Sequence, residues 1–271
     1  MPDELTLARL GLLDALEALQ LHLDALVIIG AQAVYLHTGT TEIALAEFTT
    51  DGDIAVDPDL LSSDPHVEEA MSAAGFAPDP RPSAVGSWIS PRGVPVDLMV
   101  PDAVAGAGRR SVRVPPHDSK AMRRARGIEA ALIDHSTMAI RALDPAADPR
   151  EFEVSVAGPA ALLVAKLHKI RDRIEAPARQ DNKDAHDVYR LLRAVETQDF
   201  VDALHRLLAE NVSATVTREA LVQLDQLFAH GARARGALMA GAAEELVGDP
   251  VLVSESVALL AQDLLEAMGS S

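Results

Sequence analysis

The sequence predicts an α+β protein, in which an N-terminal mixed sheet with helices on one face is followed by an all-helical C-terminal domain. Two observations predict this fold class. Short apolar runs of strand length alternate with helical patterns as far as residue 157, and strand patterns are absent from Gly158 onward. The 271 residues are enough for two domains, which we place at residues 1–157 and 158–271.

The N-terminal domain begins with an amphipathic helix, because leucines recur at helical spacing over residues 4–22. An apolar run at 26–29 breaks at Gly30 into a helical pattern over 31–37, which indicates a buried strand that turns directly into a helix. A threonine-rich stretch predicts a loop or an irregular hairpin over 38–50. Further along we expect strands at 51–57, 86–89, 94–100, 132–142 and 151–157, with helices at 67–74 and 118–126.

The C-terminal domain contains only helical patterns. Apolar residues recur there at spacings of three and four, and turn residues separate the segments. The predicted helices cover residues 158–175, 181–195, 197–209, 214–230, 232–247 and 251–267.

The composition is that of a globular protein, with 48% hydrophobic and 24% charged residues. No apolar run approaches the ~18–20 residues that a membrane helix needs, so we expect no membrane association. The absence of cysteine excludes disulfides and thiolate zinc sites, and it fits a cytoplasmic location.

The charge distribution indicates a localised surface for a polyanion. A net charge of −17 argues against a protein that coats nucleic acid indiscriminately. Residues 109–126 nevertheless hold seven of the 24 Lys and Arg residues, and residues 166–193 hold eight more. Such clustering is typical of a surface that binds a triphosphate or RNA. Solvated helix faces are the alternative explanation of each window.

Three aspartates are the candidate metal ligands. Residues two apart on a strand share a face, so Asp51 and Asp53 point one way while the apolar residues after them point into the core. By the same alternation, Asp97 lies opposite the apolar face of its own strand. Carboxylate oxygens suit Mg²⁺. If the two strands are neighbours, the carboxylates can hold two metal ions roughly 3.5–4 Å apart for an in-line phosphoryl displacement.

The turn at Gly30 adds a candidate anion site. A helix N-terminus offers free N–H groups and the positive end of the helix dipole to a phosphate. The alternative for Asp51 and Asp53 is a solvated strand edge or an Asx turn around Gly52, and the alternative for Asp97 is a strand-end residue.

These residues resemble a known superfamily. An apolar strand, a glycine-led helix, the Thr-x-Asp-x-Asp strand of Thr49, Asp51 and Asp53, and a later strand with one acid are similar to the DNA polymerase β-type nucleotidyltransferases. The segments PAALLVAKLHKIRDR (159–173) and KDAHDVYRLL (183–192) are similar to the AbiEii/MenT nucleotidyltransferase-like toxins of type IV toxin–antitoxin systems.

The resemblance implies a nucleotidyltransferase-like fold for the sheet domain and an enzyme that uses Mg²⁺ and an NTP. The three aspartates would bind the metal ions, and the nucleotide would lie against Gly30, Ala31 and Thr49. The acceptor would be a tRNA 3′ end, and the protein would be a toxin whose partner is a cognate DNA-binding antitoxin.

The first C-terminal helix carries a cationic stripe of Lys166, Lys169 and Arg173, apart from its apolar stripe. The resemblance implies that Lys166 contacts the triphosphate, and we expect Lys169, on the same stripe, to hold it as well. Asp184 matches the family's final acid, so it would orient Lys166 or act as a base on the attacking hydroxyl. Asp184 and Asp187 share a helix face, and ordinary pairing with neighbouring basic residues is the alternative.

Two positions depart from the family pattern. Ala31 follows Gly30 where the family usually has a serine, and Glu47 stands where a basic residue often precedes the acidic strand. These departures favour an alternative hypothesis, a catalytically silent protein of the same fold that works as a binding or regulatory module.

Overall fold

The computed structural model describes residues 4–39, 51–81, 83–174, 182–245 and 248–269. By its internal contacts the chain divides into two compact units. The sheet unit comprises Met1–Gln32, Phe48–Arg126 and His135–Ala157, and the helical unit comprises Ala33–Glu47, Gly127–Asp134 and Gly158–Ser271. The sequence pattern does not indicate that Ala33–Glu47 and Gly127–Asp134 belong to the helical unit.

The sheet unit is built on one mixed sheet. The described strands are β1 (Leu26–Ile29), β2 (Gly52–Val56), β3 (Ala77–Pro78), β4 (Ser87–Ile89), β5 (Pro95–Pro101), β6 (Arg123–Ala125), β7 (His135–Arg141) and β8 (Glu151–Ala157). Their order is β3-β4-β5-β2-β1-β8-β7, with β6 beside β5. The central pairs are β1 antiparallel to β2, β2 parallel to β5, and β1 parallel to β8. The sequence correctly predicts an α+β composition with one mixed sheet.

Helix α1 (Glu4–Ala18) covers one face of this sheet. A Cβ placed on Gly11 would lie 2.5 Å from Val94, so only glycine lets the helix approach this closely. Gly52 of β2 faces Leu12 of α1 and Val96 of β5. Because side chains alternate along a strand, the residues that follow Gly52 and Val96 point to the opposite face of the sheet.

Helix α3 (Val67–Ala73) also belongs to the sheet unit, and a 3₁₀ turn at Gln20–Ala25 leads from α1 into β1. Helix α2 (Gly30–Thr38) follows β1 directly, as the sequence predicts. The predicted loop at 38–50 lies almost entirely outside the described residues.

The described part of the helical unit contains the following further helices: α4 (Pro159–Ile174), α5 (Lys183–Ala194), α6 (Thr197–Ala209), α7 (Ala214–Leu224), α8 (Arg235–Ala242) and α9 (Pro250–Gly269). A π turn at Asp225–Ala229 extends α7, and a 3₁₀ turn at Glu129–Leu132 packs on α4 and α7. None of the helices in the described ranges has both the length and the hydropathy that a membrane crossing requires.

Local capping explains where two of these helices begin. The carboxylate of Asp134 accepts a hydrogen bond from the Ala161 N–H at 3.0 Å, and it lies where a Cβ on Gly158 would stand. The Asp249 carboxylate accepts from the N–H groups of Val251 and Leu252, at 3.0 and 3.1 Å. A side-chain oxygen therefore satisfies the free N–H groups at the start of α4 and of α9.

The helix predicted near 118–126 is wrong. Residues 123–125 instead form strand β6, which pairs in parallel with Met99–Pro101 of β5. The Gly86 backbone packs directly on this segment, since a Cβ on Gly86 would lie 2.4 Å from the Arg123 nitrogen. Pairing with the free end of β5 satisfies the backbone groups of the segment, and this tertiary gain outweighs its local helical propensity.

Candidate functional site

Two of the three predicted metal ligands lie side by side in the sheet unit. Asp53 of β2 and Asp97 of β5 are register partners on adjacent parallel strands. Register partners point to the same face of a sheet, and this is the face opposite α1. Both side chains are partly exposed. Two carboxylates thus stand next to each other although 44 residues separate them along the chain.

The Asp53 carboxylate also lies against the start of α2. Ile29, the last residue of β1, is the register partner of Asp53, so the turn at Gly30 comes immediately beside it. Gly30 has φ +73°, and a Cβ there would lie 2.3 Å from the Asp53 Oδ2 atom. Any other residue at position 30 would displace this carboxylate and strain the backbone. Ala31, the second residue of the turn, is buried.

Arg123 is a neighbour of Asp97 that sequence reasoning missed. Its guanidinium donates to the Asp97 Oδ2 atom, at 2.9 Å from one terminal nitrogen and 3.3 Å from Nε. Arg123 belongs to the basic window 109–126, which was the available signal, but its partner follows only from the pairing of β6 with β5. The exposed members of that window include Arg109, Arg110 and Arg113.

A buried polar chain holds the start of β2. The Arg9 Nε atom donates to the Gln32 side-chain oxygen at 2.8 Å, and the Gln32 amide donates to the Asp51 carbonyl at 3.5 Å. Gln32 is the one polar residue in an otherwise apolar stretch, and this pattern could have indicated its role. Asp51 itself stands one residue before β2, and Thr49 lies outside the described residues.

The donor set fits a magnesium ion bound by two carboxylates. Mg²⁺ commonly keeps several waters and takes one or two protein carboxylates, with the remaining ligands from substrate phosphates. Asp53 and Asp97 supply such a pair beside a helix N-terminus. Within the described residues no three acidic or histidine side chains are grouped as ligands of one ion. The two-metal site that includes Asp51 therefore stays a prediction.

The predicted residues of the second half form a buried charge cluster in the helical unit. Lys166 of α4 is only 3% exposed. Its ammonium group donates to Asp184 Oδ1 at 2.8 Å and to Asp187 Oδ2 at 2.5 Å, both on α5. Lys169 and Arg173 approach Asp184 as well, at 3.4 and 2.7 Å. The cationic stripe of α4 is therefore bound to α5 through two carboxylates.

Ionisation of this cluster follows from its pairing. Burial alone would lower the pKa of Lys166, but the carboxylates of Asp184 and Asp187 raise that pKa above its ordinary value. Burial alone would raise the pKa of Asp184, and the three neighbouring cations lower it instead. Lys166 and Asp184 are therefore both charged at neutral pH. Lys169 has 42% of its side chain exposed and is thus far more accessible than Lys166.

Two further buried side chains of α5 are paired with residues from other segments. Arg190 lies over the Tyr35 ring at 4.9 Å and donates to the Thr38 hydroxyl at 3.0 Å. His186 Nε2 and Glu244 Oε1 are 2.5 Å apart, and both side chains are buried. Sequence reasoning missed all of these pairings, because the partners come from distant segments of the chain.

No protein-family model matches the chain, and a search of curated proteins finds no significant match. Function is therefore inferred from the geometry of the chain's own residues and from the sequence resemblance.

Proposed function

We propose that this protein is a Mg²⁺-dependent nucleotidyltransferase that transfers a nucleoside monophosphate from an NTP to an acceptor hydroxyl. The observation that supports it most is the position of Asp53 and Asp97, paired in register at the mouth of the Gly30 turn. A carboxylate pair suits the cation, and the start of α2 suits the phosphates that the cation carries.

The reaction makes one phosphoester bond and breaks one phosphoanhydride bond. The acceptor oxygen attacks the α-phosphorus of the NTP, the bond from that phosphorus to the bridging oxygen breaks, and pyrophosphate leaves. Asp53 and Asp97 would hold Mg²⁺, which would supply charge neutralisation for the leaving pyrophosphate. Gly30 keeps the approach to the helix N-terminus free of side-chain atoms. Asp97 is also the candidate to accept the hydroxyl proton.

The sequence resemblance supports the choice of acceptor and the biological role. AbiEii/MenT-like toxins suggest a tRNA 3′ end as the acceptor, growth arrest as the outcome, and a DNA-binding antitoxin as the partner. Exposed arginines in the window 109–126, such as Arg109 and Arg113, offer positive charge for an RNA backbone. A cytoplasmic location would follow from that role.

A transfer assay tests the proposal. Purified protein is incubated with each labelled NTP, Mg²⁺ and total tRNA, and the label in RNA is measured. Asp53→Asn and Asp97→Asn should each lower transfer about 100-fold or more, because each removes a ligand of the cation. Asp57→Asn, just beyond the end of β2, is the matched control and should retain activity. Absence of label in RNA with every NTP would contradict the proposal.

A second candidate function, nucleotide binding without turnover, is favoured by one observation. Arg123 already donates two hydrogen bonds to Asp97, so a cation has to compete with it for that carboxylate. Under this alternative the wild type binds an NTP but transfers no label. Growth arrest upon expression, if present, would then persist in Asp53→Ala, whereas the transferase proposal predicts its loss.

A further inference from the structure

The last helix of the chain has an unusual outward face. Helix α9 buries one side among α5, α6 and α8, through residues such as Val253, Val257 and Leu264. Its opposite side presents Leu252, 58% exposed, and Leu259, 60% exposed. Single exposed leucines are ordinary on protein surfaces, but these two are seven residues apart and therefore lie one above the other.

Acidic residues flank these leucines on the same face. At about 100° per residue, Glu255, Asp263 and Glu266 fall with Leu252 and Leu259 in a sector of roughly 80°. All three acids are exposed. The stripe runs for roughly 20 Å along the helix, at about 1.5 Å per residue. We refer to these five residues as the α9 stripe.

All charged residues in the sequence around the stripe are acidic. Residues 236–271 contain six Asp and Glu residues and no Lys or Arg. The surface that carries the two leucines therefore has negative charge without basic residues of its own segment to offset it. A binding partner for such a face needs apolar side chains for the leucines and positive charge for the rim.

Charge argues against a second copy of this chain as the occupant. In an antiparallel two-fold pairing centred on Leu259, Leu252 meets Glu266 of the other copy and Glu255 meets Asp263. Leu259 then meets Leu259 of the other copy, but each Leu252 faces a carboxylate and like charges are opposed at Glu255 and Asp263. Opposed acids across an interface cost free energy and suppress that pairing.

We propose that the α9 stripe is the docking site of a basic amphipathic helix from a protein partner. Apolar side chains of that helix pack on Leu252 and Leu259, in the manner of helix-in-groove recognition. Its Lys and Arg side chains lay their methylene stems beside the leucines and pair with the flanking acids. This site goes beyond nucleotide transfer and requires neither metal nor nucleotide.

Peptide binding to the full chain tests this proposal. The probe is a labelled amphipathic peptide of about 18 residues, with Leu on one face and Lys on the other, roughly 27 Å long as a helix. A second peptide carries Glu in place of Lys. Fluorescence anisotropy gives the Kd for wild type, for Leu252→Ser/Leu259→Ser, and for the matched control Leu21→Ser/Leu60→Ser. The control leucines are 68% and 60% exposed and belong to the sheet unit.

The proposal predicts that the wild type binds the Lys peptide and not the Glu peptide. Leu252→Ser/Leu259→Ser should raise the Kd about tenfold or more, and the control variant should stay within about twofold. Glu255→Gln/Asp263→Asn should also weaken binding and reduce its dependence on salt between about 50 and 300 mM. All substitutions are at exposed positions, and circular dichroism checks that the fold is retained.

Three results would overturn the proposal. The first is failure of the wild type to bind the Lys peptide. The second is binding of that peptide by Leu252→Ser/Leu259→Ser as tightly as by the control variant. The third is a dimer in sedimentation velocity that Leu252→Ser/Leu259→Ser abolishes, which would assign the stripe to self-association. Because no result depends on NTP or Mg²⁺, failure here leaves the transferase proposal standing, and failure of transfer leaves this one standing.

Discussion

At the scale of single residues, the proposed cation site depends most on Gly30. A positive φ and the nearby Asp53 carboxylate both exclude a Cβ at this position. The glycine therefore does two things: it turns the chain from β1 into α2, and it lets Asp53 stand beside the helix N-terminus.

Gly30→Ala separates these two effects when it is compared with Gly93→Ala. Gly93 has a similar φ, +78°, but nothing lies within 4 Å of its missing Cβ. Both variants should lose about 1–2 kcal/mol of unfolding free energy from backbone strain. Only Gly30→Ala should lower nucleotide transfer, by about 100-fold, because it moves the Asp53 carboxylate. Equal activity of the two variants, measured with urea unfolding as the stability check, would contradict this reading.

Lys166 is the cation that Asp184 and Asp187 share in the buried charge cluster. Lys166→Met leaves Asp184 and Asp187 buried without their shared cation, so unfolding free energy should fall by about 3 kcal/mol or more. Lys169→Met should cost less than about 1 kcal/mol, because Lys169 is substantially exposed. Chemical denaturation measures both.

Replacement of the set Lys166→Met/Asp184→Asn/Asp187→Asn should recover part of the loss, since the two buried carboxylates are then replaced by neutral amides. If Lys166→Met is as stable as Lys169→Met, the pairing described for Lys166 is incorrect. The predicted contact of Lys169 with the triphosphate is tested separately by the KM for NTP, which Lys169→Met should raise.

At the scale of elements, the start of α3 depends on histidines. The Nδ1 atom of His117 accepts a hydrogen bond from the Val67 N–H at 3.2 Å, so it serves as the cap of α3. His22, on the 3₁₀ turn before β1, and His66 each lie 6.0 Å from His117 between ring centroids. Burial lowers the pKa of both His22 and His117. Glu68 and Asp64 also face this group and oppose part of that shift.

These histidines should make the fold sensitive to mild acid. A histidine whose pKa is lowered by folding binds its proton more readily in the unfolded chain. Stability from His22 and His117 is therefore present above the unfolded pKa of about 6.5 and is lost as the pH falls below it. Unfolding midpoints in urea at about pH 7.5, 6.5 and 5.5 measure this. A hydrogen bond from Arg150 lowers the pKa of Asp148, and neighbouring cations lower that of Asp184, so both carboxylates stay charged in this range and contribute little change.

Variants identify the source of that dependence. His22→Leu/His117→Gln should flatten the pH profile between about 7.5 and 5.5, because glutamine can still accept from the Val67 N–H while it carries no titrating group. His205→Gln, at an exposed position, should leave the profile unchanged. An unchanged slope in the double variant would assign the acid sensitivity to other groups.

Local sequence patterns predict the elements that bury an apolar face of their own. They miss elements that form only by contact with a distant segment of the chain. Periodicity locates α1, the β1–α2 turn, β2, β5, β8 and the helices from α4 onward, because each buries its own apolar face. The alternation rule also places Asp53 and Asp97 on one face each, but only the strand order makes them neighbours. Strand β6 and the Arg123 contact with Asp97 depend on pairing with a distant segment, so local pattern predicts a helix there.

At the scale of the whole molecule, the two groups of candidate site residues belong to different units. The carboxylate pair belongs to the sheet unit, and the Lys166 cluster belongs to the helical unit. Composition and charge windows suggest this division, since strand patterns end at residue 157 and the two basic windows fall on either side of that point. The sequence does not predict the buried pairing of Lys166 with two aspartates. Helical spacing shows which residues share a helix face, but it does not show which faces of two helices pack together.

The most direct measurement is a crystal structure of the protein soaked with Mn²⁺ and a non-hydrolysable NTP. We expect an anomalous peak at about 2.1 Å from carboxylate oxygens of both Asp53 and Asp97, with nucleotide phosphates completing its ligands. A cation bound elsewhere, or Asp97 still held by Arg123 with no peak beside Asp53 although the nucleotide is present, would contradict it.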